Sequence, residues 1–419
     1  MSSAQQPQIH VTLHADGTGE IRVDDDARPI ADTDLTAARR TAVRAIVDVA
    51  RETGQPVRAV TSDPDGHWPI LVHPDGRVDA EQSMTAPGPP NTPISAPIPI
   101  RQAPTSGSTA TTRRELRASF LAHAAPEQPA TQGWRAVAGR LGIKVGPSAA
   151  ERAERADLDA VSQHWPGPRT IAIVNGKGGA SKTTTTIGLA AIFARNGGAG
   201  VLAWDNNQTR GTLGWRTDQG PHDSTLLELL PQADKLLGPA AQASDLARYV
   251  HHQPRDRFDV LRSKPSVLAD EQRVTGADVD AIHTVATKYY RLVLIDSGND
   301  ETDPLWLRMI DHADQLVIAT TTRDDHAETG ALLLEALADR DERSAQLAHN
   351  AVAIISQADP SATAADLRHI TDGYRQLVRE TVTIPHDPAM VDGLLHHDAL
   401  RRATRRAWLA AGAAVARGL

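Results

Sequence analysis

The alternation of apolar and polar positions changes period along the chain, and each change marks a different kind of segment. Gln8–His14 (QIHVTLH) and Gly17–Val23 (GTGEIRV) alternate with period two, as half-buried strands do. Asp16–Gly17 between them predicts a hairpin turn. Asp34–Thr53 switches to helical spacing through Leu35, Ala38, Val43, Ile46 and Val49. Two further strand-like runs, Val57–Thr61 and His67–His73, are joined by the turn sequence SDPDG, and Asp75–Gly76 marks another turn. Together these predict a small α+β domain of ββαββ order over residues 1–82. It carries no chemical motif and reads as an interaction or dimerisation module.

Over residues 83–112 the periodicity disappears into Pro, Ser and Thr, with too little apolar surface to fold, which predicts a disordered linker. Residues 113–168 read as short connecting helices broken near Pro126–Pro129 and at Pro147. From Arg169 the pattern changes again. Strand-length apolar runs alternate with helices: Thr170–Asn175, Val201–Asp205, Phe258–Leu261, Arg291–Asp296, Gln315–Ala319, Ala351–Ser356 and Thr381–Pro385. Unbroken β-branched runs suit strands buried on both faces of a parallel sheet. The fold class expected for 169–419 is therefore α/β, a doubly wound, mostly parallel sheet with its ligand at the carboxyl ends of the strands.

The first of these strands leads into Gly176, Lys177, Gly178, Gly179, Ala180, Ser181, Lys182 and Thr183, and a helical run starts at Thr184. Strand, Gly-rich loop and helix start make a P-loop: backbone N–H groups and the helix N-terminus face phosphate oxygens. Lys182 is expected at the β- and γ-phosphates, and the Thr183 hydroxyl at Mg²⁺. Ser181 stands where the pattern has its second Gly. If the backbone there is left-handed, Ser costs about 1–2 kcal/mol, although its hydroxyl could add a phosphate contact.

Lys177, five residues before Lys182, changes the picture further. The loop resembles the deviant Walker A of the ParA/MinD-type ATPases, K-G-G-x-x-K-T. That resemblance implies ATP and Mg²⁺ as cofactors and a homodimer formed on ATP, with Lys177 crossing to the partner's phosphates. The residue-level alternative for Lys177 is an exposed loop lysine. By the same resemblance Asp205, at the end of the second strand, matches the family's second acidic motif. It would position the attacking water or lie near the metal. Asp296 in RLVLIDSGND matches the Walker B aspartate, which holds Mg²⁺ through water. Gly298 would let the following loop approach the γ-phosphate, and the NDETDPLWLR segment would move when phosphate leaves.

Base recognition is less well marked. Ser356–Pro360 follows a strand at the position where the wider class carries an Asn or N-K-x-D, and only Asp359 could be read as a guanine ligand. Pro385 and Asp387, in IPHD, resemble the family's segment beside the adenine pocket, which favours ATP.

Composition narrows this reading. The chain has no cysteine, so thiolate metal sites and iron–sulfur clusters are excluded, and with them the cluster-carrying and arsenite-pump branches of the family. It has four tyrosines and none in the last forty residues, against the tyrosine-kinase branch. No signal peptide or membrane-spanning run is expected, which makes the cytosol the default. The net charge of −8 argues against a broadly basic nucleic-acid binder but allows a local patch. Arg401, Arg402, Arg405 and Arg406 offer one. They could contact a DNA backbone non-specifically, lie on a membrane surface, or face solvent on a terminal helix that packs Leu400, Ala403, Ala407 and Ala411. Membrane association is the less favoured of the two functional readings, because the apolar face is mostly alanine. The pairs His251–His252 and His396–His397 read as surface residues, since neighbours on a helix share no face.

The expected function is a nucleotide-switched positioning ATPase. Its cargo would be plasmid or chromosome DNA, or a protein assembly engaged through the N-terminal domain by an unknown adaptor. The alternatives are a nucleotide-binding scaffold that hydrolyses little, for example at a secretion or cell-pole complex, and a small-molecule ligase of the same fold.

Overall fold

The computed structural model describes residues 7–80 and 146–419, apart from residues 25, 65, 76–77, 199, 208–210, 265–273 and 392. The expected linker and most of the connecting segment, along with Gly76 of the second turn, lie outside the described residues. The chain divides into two units, Met1–Arg152 and Ala153–Leu419.

In the first unit, β1 (Gln8–Leu13), β2 (Thr18–Val23), β3 (Asp26–Ala31), β4 (Val57–Asp63), β5 (Gly66–Val72) and β6 (Val78–Ala80) form one sheet in the order β3-β2-β1-β4-β5-β6. Only the central pair, β1 and β4, is parallel. Helix α1 (Leu35–Thr53) starts at Asp34, whose carboxylate accepts from the Ala37 N–H (2.8 Å), and stops at the left-handed Gly54. It covers one face of the sheet, setting Ala38, Ala42, Ile46 and Ala50 against Ile9, Val11, Ile21 and Val57. The order is thus βββαβββ rather than ββαββ. The sequence pattern misses β3 because only Ile30 of its six residues is buried, so it does not alternate. Pro29 also fits only an edge strand. It misses β6 because three residues are too few to show a period.

Helix α2 (Ala149–Val161) crosses the boundary, and in the second unit its end, Val161, is buried in the core ahead of β7 (Arg169–Val174). The larger sheet has the order β14-β13-β12-β7-β11-β8-β10-β9. Its other strands are β8 (Val201–Asn206), β9 (His251–Gln253), β10 (Phe258–Leu261), β11 (Leu292–Ser297), β12 (Gln315–Thr321), β13 (Val352–Ser356) and β14 (Glu380–Ile384). All pairings are parallel except β9 with β10. Helices cover both faces: α3 (Lys182–Gly197), α4 (Gly276–Tyr289), α5 (Pro304–His312), α6 (Asp324–Arg340), α7 (Glu342–His349), α8 (Ala364–Tyr374) and α9 (Arg402–Ala416). Their apolar faces enclose two cores, one on each side of the sheet. The doubly wound fold expected from the sequence is therefore present, with one additional antiparallel edge strand.

That edge strand corrects the reading of His251 and His252. They lie on β9, where neighbours point to opposite faces. His252 is exposed and 2.7 Å from Asp259. His251 is buried: its Nδ1 accepts from the Gly220 N–H (3.2 Å), and its Nε2 lies 2.8 Å from the Ser224 carbonyl. Burial lowers its pKa, so this histidine is neutral and structural. His396 and His397 are half-buried rather than on the open surface.

The C-terminal helix also differs from expectation. Leu400 and Ala411 are buried, but Ala403 is exposed. The anchor is Trp408, fully buried against α3, where its ring rests on Gly188. A buried Trp contributes on the order of 3–5 kcal/mol, which the alanines around it cannot match. Among the described residues, no helix is long and apolar enough to cross a membrane.

Candidate functional site

The order of the larger sheet reverses beside β7, with β11 on one side and β12 on the other. Loops leaving the carboxyl ends of these strands diverge and open a crevice there. Asn175 follows β7 and is fully buried. Its Nδ2 donates to the carbonyls of Ala319 (2.9 Å) and His326 (3.0 Å), while its Oδ1 accepts from the Lys177 N–H (2.9 Å). The entry of the P-loop is thus tied to the neighbouring strand and to α6. Asn175 is a supporting residue that the sequence reading treats only as the end of a strand.

Gly179 and Ser181 both have left-handed backbone, at φ 83° and φ 66°. The suspicion about Ser181 is therefore correct: a residue with a Cβ occupies a conformation that favours Gly, at a cost of about 1–2 kcal/mol. Its hydroxyl makes no capping hydrogen bond to α3. The turn aims Lys182 inward, leaving it 8% exposed, with Nζ donating to Asn299 Oδ1 (2.6 Å) and to the Lys177 carbonyl (3.0 Å). Burial lowers its pKa, and the negative charge of Asp296 opposes that shift. Thr183 Oγ1 donates to Asp296 Oδ2 (2.7 Å) and lies 2.7 Å from the Thr212 hydroxyl. Lys177 is about half exposed, with Nζ 3.5 Å from Asp325 Oδ2 at the start of α6.

Asp205 and Asp296 are cross-strand partners on β8 and β11, so their side chains share a face at the strand ends. Both are buried, at 1% and 3% exposure. Burial raises the pKa of each, and for Asp205 the charge of Asp296 raises it further. Asp205 accepts from the N–H groups of Asn207 (3.2 Å) and Leu213 (3.3 Å). Gly211 closes over it: any side chain there would run into the Asp205 carboxylate and the Ser263 hydroxyl.

A cavity of about 420 Å³ runs along this end of the sheet. Gly178–Thr184, Asp296 and Asn299 line one end, and Ser356, Gln357, Ala358, His386, Asp387 and Met390 the other. The structure thus brings together the P-loop, Asp296 and Asp387, as the sequence reading expects. Gly176, Lys177, Asp205, Gly298 and Pro385 lie outside the lining. Asp205 is the cross-strand partner of Asp296, and Gly298 sits beside Asn206 and Asn207. Asp387 also braces the backbone around it. Its carboxylate accepts from the N–H groups of Ala389 (3.1 Å) and Arg401 (2.8 Å). Asp359 accepts from the N–H (2.8 Å) and hydroxyl (2.7 Å) of Ser361 and does not line the cavity, so nothing supports it as a guanine ligand.

Residues 168–346 match the family AAA_31, described as an AAA domain. The match contains the P-loop with both lysines, Asp205 and Asp296, in the order and fold described above. This region resembles a P-loop domain of the ParA/MinD type. Members of that family are generally ATPases. The secretion-associated protein EspI of the ESX-1 system of Mycobacterium tuberculosis is 27% identical over 266 residues, covering 62% of this chain and 38% of EspI. The chromosome-partitioning ATPase Soj of Thermus thermophilus is 32% identical over 152 residues, covering 36% of this chain and 53% of Soj. The chain thus spans about half or less of the length of these curated relatives. Among solved structures, a ParA family ATPase from Chlorobium tepidum TLS aligns over 60% of this chain and 95% of its own, at 19% identity and a TM-score of 0.44.

The oxygen donors at this site, Thr183 and Asp296, fit a hard divalent cation. Among the described residues there is no cluster of three or more His, Asp or Glu arranged around a metal, so any cation would need oxygens from the nucleotide or water as well. The buried Asp296 Oδ1 has no hydrogen-bond partner, and the nearby Thr186 hydroxyl donates to the Lys182 carbonyl instead (3.1 Å). Two adjacent carboxylates with raised pKa values and one unused buried oxygen are what Mg²⁺ coordination or its water shell would satisfy.

The four C-terminal arginines do not form one patch. Arg401 and Arg402 are exposed, whereas Arg405 and Arg406 are half-buried. Arg406 pairs with Asp157 of α2 (2.7 Å), as does Arg417 (3.3 Å), which also holds Glu380 (2.7 Å). At least one of the four thus helps dock α9.

Proposed function

We propose that this chain is a cytoplasmic Mg²⁺-dependent ATPase that dimerises on ATP and positions a cargo. The single observation that carries the reading is the convergence of Lys182, Thr183 and Asp296 on the lining of a cavity of about 420 Å³. Lys182 and the loop N–H groups would hold the β- and γ-phosphates. Thr183 and Asp296 would hold Mg²⁺, which when bound neutralises phosphate charge. Asp205, through its place beside Asp296, would orient the attacking water. Lys177 would cross to the partner's phosphates, exchanging its exposed contact with Asp325 for theirs. At the base end Gln357, His386 and Asp387 would be among the polar groups facing a purine. Soj is a chromosome-partitioning protein, which supports DNA as the surface or the cargo; the remaining contacts would come from Arg401, Arg402 and Arg405.

The test is turnover of Mg-ATP, with size-exclusion and light scattering in ATP and in ADP. Dimer in ATP, monomer in ADP and loss of both activities in Lys182→Ala are expected. Turnover unchanged in that variant would defeat the proposal. ATP-dependent binding to arbitrary duplex that weakens with salt and with Arg401→Ala/Arg402→Ala supports the DNA branch.

A second reading is favoured by Ser181 and by the longer match to EspI. Strain at the P-loop would slow hydrolysis and leave a nucleotide-binding scaffold beside a secretion assembly. It predicts tight ATP binding and ATP-dependent dimers with turnover no faster than in Lys182→Ala.

A further inference from the structure

The loop after β11 meets the Lys182 ammonium. Asp300 accepts from the N–H (3.0 Å) and hydroxyl (2.6 Å) of Thr302, and Asp303 caps α5 through the Leu305 N–H (2.9 Å). These contacts shape the loop itself, and two of its side chains meet the P-loop. Asn299 reaches across it: Oδ1 takes the Lys182 ammonium at 2.6 Å, and the amide lies beside Gly178. The next residue but one, Glu301, packs its carboxylate against Gly176, and Glu301 Oε2 is buried without a hydrogen-bond partner. Asn299 itself is exposed, so it is held by this contact rather than by burial.

We propose that Asn299 is a latch on the nucleotide site: its amide oxygen stands in for a phosphate oxygen on Lys182, and an incoming nucleotide must displace it. The inference rests on the reading that Lys182 binds phosphate. Its physical basis is competition for one donor. A nearly buried ammonium needs acceptors, and Asn299 and the Lys177 carbonyl supply them. A phosphate oxygen makes the stronger, charge-assisted bond and releases Asn299. Because Asp303 ties the same loop to the start of α5, release is transmitted to that helix. Nucleotide occupancy is thereby coupled to the surface formed by residues 299–303.

The experiment measures the dissociation constant of Mg-ATP for the full chain, by calorimetry, in the wild type, Asn299→Ala, Asn299→Asp and Lys182→Ala. Removing the latch leaves Lys182 short of an acceptor in the empty state, so Asn299→Ala should bind about tenfold more tightly. Asn299→Asp replaces a neutral acceptor with an anion, which holds Lys182 more strongly and repels phosphate, so it should bind at least about tenfold more weakly. Equal or weaker binding by Asn299→Ala, with the wild type binding normally and Lys182→Ala impaired, overturns the latch alone. Failure of the wild type to bind ATP, or binding indifferent to Lys182→Ala, overturns the phosphate reading and the latch with it.

Discussion

The two ends of the cavity are built on different principles. At the phosphate end the polar groups turn toward one another and toward the space where a ligand would lie. Lys182 and Asp296 are nearly buried and Thr183 is half-buried, Thr183 bonds Asp296, and an oxygen of Asp296 is unused. At the base end Asp387 is already committed to the backbone N–H groups of Ala389 and Arg401, and Gln357 is likewise engaged, donating to the Ala362 carbonyl (2.7 Å). One end gathers charged groups with an unused carboxylate oxygen, while at the other Asp387 and Gln357 first hold loops together and the buried Ser356 hydroxyl is the group left without a partner. Buried polar groups are costly unless partnered, so a cluster left partly unpartnered marks where a ligand completes the structure.

The sharpest way to break this comparison is to remove one residue from each end. Lys182→Ala should weaken Mg-ATP binding by about 100-fold or more while leaving the melting temperature of the ligand-free chain little changed. Asp387→Ala should do the reverse. It frees two backbone donors and should lower stability by about 1–3 kcal/mol in denaturant unfolding, with a smaller loss of nucleotide affinity. If Asp387→Ala abolishes binding without destabilising the chain, the base end is ligand-directed after all.

The carboxylate pair predicts a pH dependence of comparable or smaller size. Asp205 and Asp296 have pKa values raised by burial. The folded state therefore binds more protons than the unfolded state once pH exceeds the ordinary carboxylate value of about 4. Their contribution to stability is fully present below that value and is lost as pH rises through the raised values. In chelator, wild type should lose about 1–3 kcal/mol relative to Asp205→Asn between pH 4 and pH 8. Mg²⁺ with ATP should close the gap at the upper end. A difference that does not vary with pH would show that the pair is not strained in this way.

The smallest effect concerns Ser181. Ser181→Gly removes the Cβ from left-handed backbone and should stabilise the ligand-free chain by up to about 1 kcal/mol, since the gain is partly offset by the greater freedom of Gly in the unfolded state. Turnover that rises in the same variant would mean that Ser181 slows hydrolysis. An unchanged rate with higher stability would confine its role to folding.

How much of this could be read in the sequence follows from the range of the interactions. The P-loop is local: strand, glycines, Lys182, Thr183 and helix start are contiguous, and their roles depend on backbone geometry within ten or so residues. The strands of the larger sheet are legible because burial on both faces makes them uniformly apolar. By contrast β3 is hidden because an edge strand with one buried residue has no pattern to show, and β9 because three residues carry no period. His251 illustrates the same limit. Its neighbour His252 suggests a polar surface, and only the partner strand β10 and the Gly220–Ser224 turn reveal the burial.

The sequence by itself determined the phosphate loop, the doubly wound sheet and the two acidic strand ends, because each depends on short-range pattern or on the hydrophobicity of a whole strand. Tertiary structure alone decided that Asn299 and Thr212 meet Lys182 and Thr183, that Asn175 pins the loop and that Gly211 shields Asp205. It also decided that Arg406 belongs to Asp157 rather than to an open patch. These are contacts between segments far apart in sequence, and their geometry is set by how the strands order themselves, which no local pattern encodes.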